Sequence, residues 1–252
     1  MSRIEAGFAE IPNPFNRRKY TVPLERKDVA GFVFWSKNFR PFMKNLSRLE
    51  KLGYRNFCFN FTITGLPREF EPAIPPIEKT TADLKELSSR YGEQAVFWRF
   101  DPIILSDITD KSYYINRFRE LADIITPHVE RCIFSFAYFY KKVKLRLRKL
   151  ETEKGIRFVD TSVERKRDLA ERLAELASDY KLSFEACCCE YLEGTPEVVS
   201  SRCVDGALME KLCGGKFHFP PRPSRKGCGC AESSDIGEYG TCKGGCIYCY
   251  AR

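Results

Sequence analysis

The chain has 252 residues, 43% of them hydrophobic and 13% aromatic, with a formal net charge of +8. That balance excludes a disordered chain and leaves room for one large α/β core. No apolar run nears the roughly 20 residues that span a bilayer, and Met1 to Gly7 contain no signal-peptide core, so a cytoplasmic protein with no membrane partner is expected.

Residues 1–30 read as irregular, because Pro12, Pro14 and Pro23 interrupt any long helix, and Asn13-Pro-Phe-Asn16 reads as a turn. Gly31 to Trp35 is a short apolar run that suits a strand buried on both faces. Phe42, Leu46 and Leu49 follow at helical spacing and stop near Gly53. The unit then recurs. Phe57 to Ile63 reads as a strand, and a proline-rich loop leads to a helix carrying Leu84, Leu87 and Tyr91. Ala95 to Phe100 is a third strand ending at Asp101-Pro102, and its helix places Tyr114, Phe118, Leu121 and Ile125 on one face. Cys132 to Ala137 is a fourth strand, followed by a basic amphipathic helix from Lys141 to Lys149. That helix is either a solvated face or a phosphate-contacting one. Thr161-Ser-Val-Glu164 resembles a capping box for a helix lined by Leu169, Leu173 and Leu176. Leu182 to Cys189 is a fifth strand, and Arg202 to Asp205 a short sixth before a small helix at 206–213.

Strands alternating with helices argue for a parallel sheet with right-handed crossovers. The expected fold is α/β, a partial (β/α) barrel of about six parallel strands, with a flat doubly wound sheet as the alternative. The barrel domain is expected over 1–215. After Gly214-Gly215 the composition turns to Pro, Lys, Gly and Cys, so 216–252 reads as a cysteine-rich loop module packed on the barrel. In βα barrels chemistry gathers where the strands end. The polar residues there are Ser36, Lys37, Asn38, Thr62, Thr64, Asp101, Ser135 and Glu190. Among them Asp101 suits a carboxylate that accepts hydrogen bonds from a ribose or substrate. Arg99 suits pairing with a carboxylate, and the other reading makes Arg99 and Asp101 partners of one another. Glu190 is either a site carboxylate or a solvated one.

In a cytosolic chain the 12 cysteines read as metal ligands or buried thiols rather than disulfides. Isolated Cys58 and Cys132 fit small apolar packing. Near the end Cys242, Cys246 and Cys249 are spaced C-x3-C-x2-C, and Gly244 and Gly245 let a short loop turn three sulfurs toward one point. Three thiolates select zinc or an iron–sulfur cluster over hard cations. Clusters usually take four cysteines, so three leave one iron open. His128 and His218 are the only histidines and read as surface residues. No Gly-rich phosphate loop, nucleophile elbow or H-E-x-x-H is present to anchor hydrolase chemistry.

The triad followed by an aromatic resembles the signature of radical S-adenosylmethionine (SAM) enzymes. The longer string is Cys228-Gly-Cys230, Asp235-Ile-Gly237, Tyr239, Thr241-Cys242, Gly245-Cys246, Tyr248-Cys249-Tyr250-Ala251. It resembles a bacterial and archaeal family catalogued as domain of unknown function 1848, described as having a radical-SAM-like cluster at its C-terminus. The resemblance implies a [4Fe-4S] cluster on Cys242, Cys246 and Cys249. Its fourth iron would bind the amino and carboxylate groups of SAM, and a reducing electron donor would drive cleavage to a 5'-deoxyadenosyl radical that abstracts hydrogen from a substrate. It also implies cofactor contacts from Thr62, Thr64, Gly65 and Tyr248, and an opening strand that this chain lacks. The Arg-Phe-Asp-Pro segment resembles spore photoproduct lyase, a DNA-repair member of the superfamily, and with the basic charge it admits nucleic acid as substrate. Cys188, Cys203, Cys228 and Cys230 could complete a second centre, an auxiliary [4Fe-4S] cluster or a zinc. Otherwise Cys187 to Cys189 are strand packing and Cys228 and Cys230 are spare thiols. The alternative to an enzyme is a metal-binding module whose zinc or cluster staples the C-terminal loops.

Overall fold

In the computed structural model, which describes residues 1–13, 16, 18–215, 217–223 and 225–251, the aromatic and β-branched runs become the strands of one parallel sheet. They are β3 (Phe32–Ser36), β4 (Phe57–Thr62), β5 (Val96–Ile103), β6 (Arg131–Phe136), β7 (Ser183–Ala186) and β8 (Val198–Ser200). They pair in strict chain order, β3-β4-β5-β6-β7-β8. Phe59 sits opposite Val96, Trp98 opposite Cys132, and Phe134 opposite Ala186. A doubly wound sheet reverses its strand order at a switch point, and this sheet has no reversal. The sequential order is the one a partial barrel needs.

Residues before this sheet are more regular than their prolines suggest. A short helix α1 (Ser2–Glu5) precedes an antiparallel hairpin of β1 (Phe8–Pro12) and β2 (Lys19–Pro23). Pro12 and Pro23 both stand at the last residue of a strand, where the missing N–H does least harm to the ladder. The expected turn at 13–16 includes Pro14 and Phe15, which lie outside the described residues.

Side chains alternate across each strand, so the sheet has two faces. On one, Phe57, Phe59, Phe61, Trp98, Phe100, Phe134 and Phe184 pack against α2 (Arg40–Met43), α3 (Leu46–Lys51), α4 (Ile77–Tyr91), α5 (Lys111–Ile125), α6 (Lys141–Lys154) and α7 (Val163–Asp179) in the main core. Tyr114, Phe118, Leu121 and Ile125 of α5 are all buried there, as their spacing predicts. Each such side chain contributes about 1.5–3 kcal/mol by leaving water. The opposite face carries Cys58, Phe97, Ile133, Cys187 and Cys203, covered by Leu208 and Met209 of α8 (Gly206–Leu212). Gly206 is required there, because a Cβ on it would lie 2.4 Å from the carbonyl oxygen of Phe219.

Several boundaries differ from the sequence reading. The helix expected over Phe42 to Leu49 is two pieces, α2 and α3, separated by Lys44 and Asn45. The fifth strand stops at Ala186 rather than Cys189, because Cys188 turns to a positive φ of 54° and breaks the extended chain. The sixth strand is β8, and Arg202 to Asp205 is instead the loop into α8, with Asp205 as its N-cap accepting from Leu208 N at 3.1 Å. Ser162, not Thr161, caps α7. Among the described residues no helix is long and apolar enough to cross a membrane.

Candidate functional site

The segment from residue 217 to 251 has no helix or strand among its described residues, only the isolated bridge Pro221–Ala231. Its middle is tied to the N-terminal elements, where Arg3 Nη1 donates to the Ile236 carbonyl at 3.0 Å. Its end is tied to the carboxyl-terminal side of the sheet. Ile247 N donates to Phe70 O at 3.0 Å and Ala73 N to Gly244 O at 3.4 Å, both in the loop after β4. From α6, after β6, Arg146 Nε donates to Ile247 O at 2.7 Å and its Nη2 to Cys249 O. The cysteine loop is therefore pinned between two connections on the side where the strands end.

Under that loop lies a polar knot whose centre, Glu71, sequence reasoning missed. Glu71, buried at 4% exposure, receives three groups on one oxygen. Thr64 Oγ1 donates to its Oε1 at 2.9 Å, Tyr248 Oη donates to the same atom, and Lys37 Nζ lies 2.9 Å from it. The Lys37 contact is an ion pair whose geometry makes no hydrogen bond, so the buried ammonium keeps unsatisfied donors. Lys37 also lies 5.7 Å from the centre of the Tyr248 ring. Thr64 and Tyr248, expected as cofactor contacts, thus meet each other through Glu71. Gly65 takes a φ of +62° and its carbonyl accepts from Tyr113 Oη at 2.6 Å. Thr62 is half-buried at the end of β4, paired with Arg99 in the sheet register.

Cys242 is exposed, Cys249 half-buried and Cys246 buried. A Cβ on Gly244 would stand 3.4 Å from the Cys242 sulfur and 3.8 Å from that of Cys246, so both sulfurs flank this glycine. Gly245 supplies the left-handed turn between them, with a φ of +71°. Burial pushes the Cys246 thiol up to about 11, opposed by the nearby Lys37 ammonium. Among the described residues, no three Cys, His, Asp or Glu side chains already stand in metal-binding geometry. The donor set still suits a thiophilic metal or cluster. Three soft thiols share one glycine-turned loop, and a buried ammonium with spare donors lies beside them.

The second candidate region is the opposite face of the sheet, beside α8. Arg99 is buried at 6% exposure and each of its three nitrogens has a partner. Nε and Nη2 reach Asp101 Oδ2 at 3.0 and 2.5 Å, and Nη1 reaches Asn60 Oδ1 at 3.2 Å and Cys203 Sγ at 2.9 Å. Ser135 Oγ donates to the other Asp101 oxygen. Arg99 and Asp101 are thus partners of one another, the second of the two readings their spacing allowed. Cys187 Sγ lies 3.3 Å from Cys203 Sγ. Thiol hydrogen bonds from Cys187 and Cys230, with the Arg99 guanidinium, hold the Cys203 thiol far below its ordinary range. The strand-end carboxylate Glu190 instead faces solvent, four residues past β7, and pairs with Lys226 at 2.8 Å. Cys188 turns its sulfur to Arg225 Nε at 3.0 Å. Asn60, Glu71 and Cys187 carried no sequence signal beyond their strand or loop positions.

No curated protein and no solved structure matches the chain significantly. The model of the family described as domain of unknown function (DUF1848) matches residues 1–251, and the chain belongs to that family.

Proposed function

We propose that the chain is a radical SAM-type iron–sulfur enzyme built on a partial (β/α) barrel, with Cys242, Cys246 and Cys249 holding the cluster at the strand ends. The observation that carries this reading is the docking of the three-thiol loop between the β4 loop and α6, with the Lys37 ammonium beside it. When bound, a [4Fe-4S] cluster with one open iron supplies the electron that cleaves SAM, delivered from an external reductant. The chain's own residues then have distinct parts. Arg146 and the Phe70 carbonyl fix the loop backbone, so the sulfurs keep their place when ligands exchange. Glu71 holds Tyr248, Thr64 and Lys37 in one arrangement, and Lys37 offers its spare donors to the carboxylate of an amino-acid-like guest. Tyr248 and Ile247 pack against the main core and exclude water from the inner side of the loop.

Anaerobic reconstitution with iron and sulfide, followed by dithionite reduction and addition of SAM, tests the reading. The expected product is 5'-deoxyadenosine, absent when Cys246→Ser replaces the wild type. A colourless chain holding one tight zinc and leaving SAM intact would mean that the cysteine loop is a structural staple.

A further inference from the structure

We propose that Cys187, Cys203, Cys228 and Cys230 form a second thiolate metal centre on the inner face of the sheet, taking a thiophilic ion or cluster. The proposal stands apart from the function of the C-terminal trio. Three separate stretches of chain deliver these thiols: the end of β7, the loop after β8, and the tail over α8. Their approach is held by backbone rather than by chance. Ala231 N donates to Val204 O at 3.0 Å, Arg222 N to Cys230 O at 2.8 Å, and Val204 N to Cys230 Sγ at 3.4 Å. The tail is thereby stitched beside Cys203, with Cys230 packed against the cluster that holds Cys187 and Cys203, and Cys228 two residues away in the chain.

The spacing suits the chemistry. A tetrahedral ion with bonds of about 2.3 Å to sulfur holds its sulfurs ~3.8 Å apart, and Cys187 and Cys203 already stand 3.3 Å apart with no disulfide between them. Loading gathers the four sulfurs about one centre by side-chain rotation. Arg99 supplies the support that thiolate sites need, since its guanidinium donates to Cys203 at 2.9 Å while Asp101 and Asn60 fix its orientation. Cys187 takes the place that the sequence spacing assigns to Cys188, because the left-handed turn at Cys188 aims that sulfur at Arg225.

The test uses the full chain with Cys242, Cys246 and Cys249 all changed to Ser, purified anaerobically, so that loss of the trio cannot be confused with loss of this centre. Elemental analysis is expected to find either about one zinc, or about four iron with matching sulfide, per chain. Elemental identity separates zinc from a cluster. Adding Cys228→Ser and Cys230→Ser should remove that metal, and adding Cys188→Ser should leave it. The half-buried tail positions are chosen because a change at buried Cys203 could unfold the sheet, and circular dichroism checks that each variant is folded. A folded trio-less chain with no bound metal overturns the proposal, as does one whose metal survives loss of Cys228 and Cys230.

Discussion

At Glu71 one carboxylate oxygen holds a threonine, a tyrosine and a lysine from three parts of the chain. Replacing Glu71 with Ala leaves the Thr64 and Tyr248 hydroxyls without their acceptor and the buried Lys37 ammonium without its counter-ion, at a cost of about 1–3 kcal/mol for each hydroxyl. The loss should fall on the tail more than on the sheet. Hydrogen exchange of Ile247 and Cys249 is therefore expected to quicken in Glu71→Ala while the amides of β4 and β5 stay protected, and equal quickening in both would contradict this placing. Asp101→Ala strands the buried Arg99 guanidinium and should lower the unfolding free energy by about 3–5 kcal/mol in urea titration. Ser135→Ala removes only one donor and should cost about 1 kcal/mol. Glu185 gives a pH signature. Burial raises its carboxyl above the usual range despite Arg131 at 3.6 Å. A raised folded value means that its contribution is full below the unfolded pKa of about 4.3 and is lost as pH rises through the folded one. The urea midpoint of Glu185→Gln should therefore gain on wild type from pH 4 to pH 8, and a constant difference would refute the assignment.

At the scale of elements, the strong periodicities were legible and the weak ones were not. α5 shows its buried face in the spacing of Tyr114, Phe118, Leu121 and Ile125, and Phe118→Ala should cost about 3–5 kcal/mol in unfolding free energy because Phe118 is fully buried. The strands β4 to β6 announce themselves as aromatic runs because both their faces are covered, whereas β3, expected to be buried on both faces, is an edge strand that leaves Trp35 49% exposed. β8 does not, since it is only three residues long, Val198-Val199-Ser200, half-exposed or exposed at the sheet edge. The N-terminal hairpin was hidden behind its prolines, which signal irregular chain unless one knows that they end strands. Cys187 and Cys188 are equivalent in a sequence, and only the positive φ at Cys188 separates them.

For the whole molecule, the C-terminal segment bears on two places at once. Its first part covers the inner face of the sheet beside α8, and its last part is pinned over the strand ends by Arg146 and the Phe70 carbonyl. The cysteine spacing is the sequence feature from which metal chemistry is proposed for that segment, because three soft ligands within eight residues suit a thiophilic ion or cluster. The docking partners were not legible, since Glu71 and Arg146 are ordinary loop and helix residues until the chain folds. Arg146→Ala should leave the sheet intact yet make the tail susceptible to trypsin at Lys243, and a tail as resistant as wild type would contradict that anchoring. The most direct measurement of the central claim is electron paramagnetic resonance of the reduced, reconstituted protein with and without SAM. A reduced-cluster signal that shifts on adding SAM and disappears in Cys246→Ser is predicted. A signal indifferent to SAM, or one that persists unchanged without Cys246, would contradict the account.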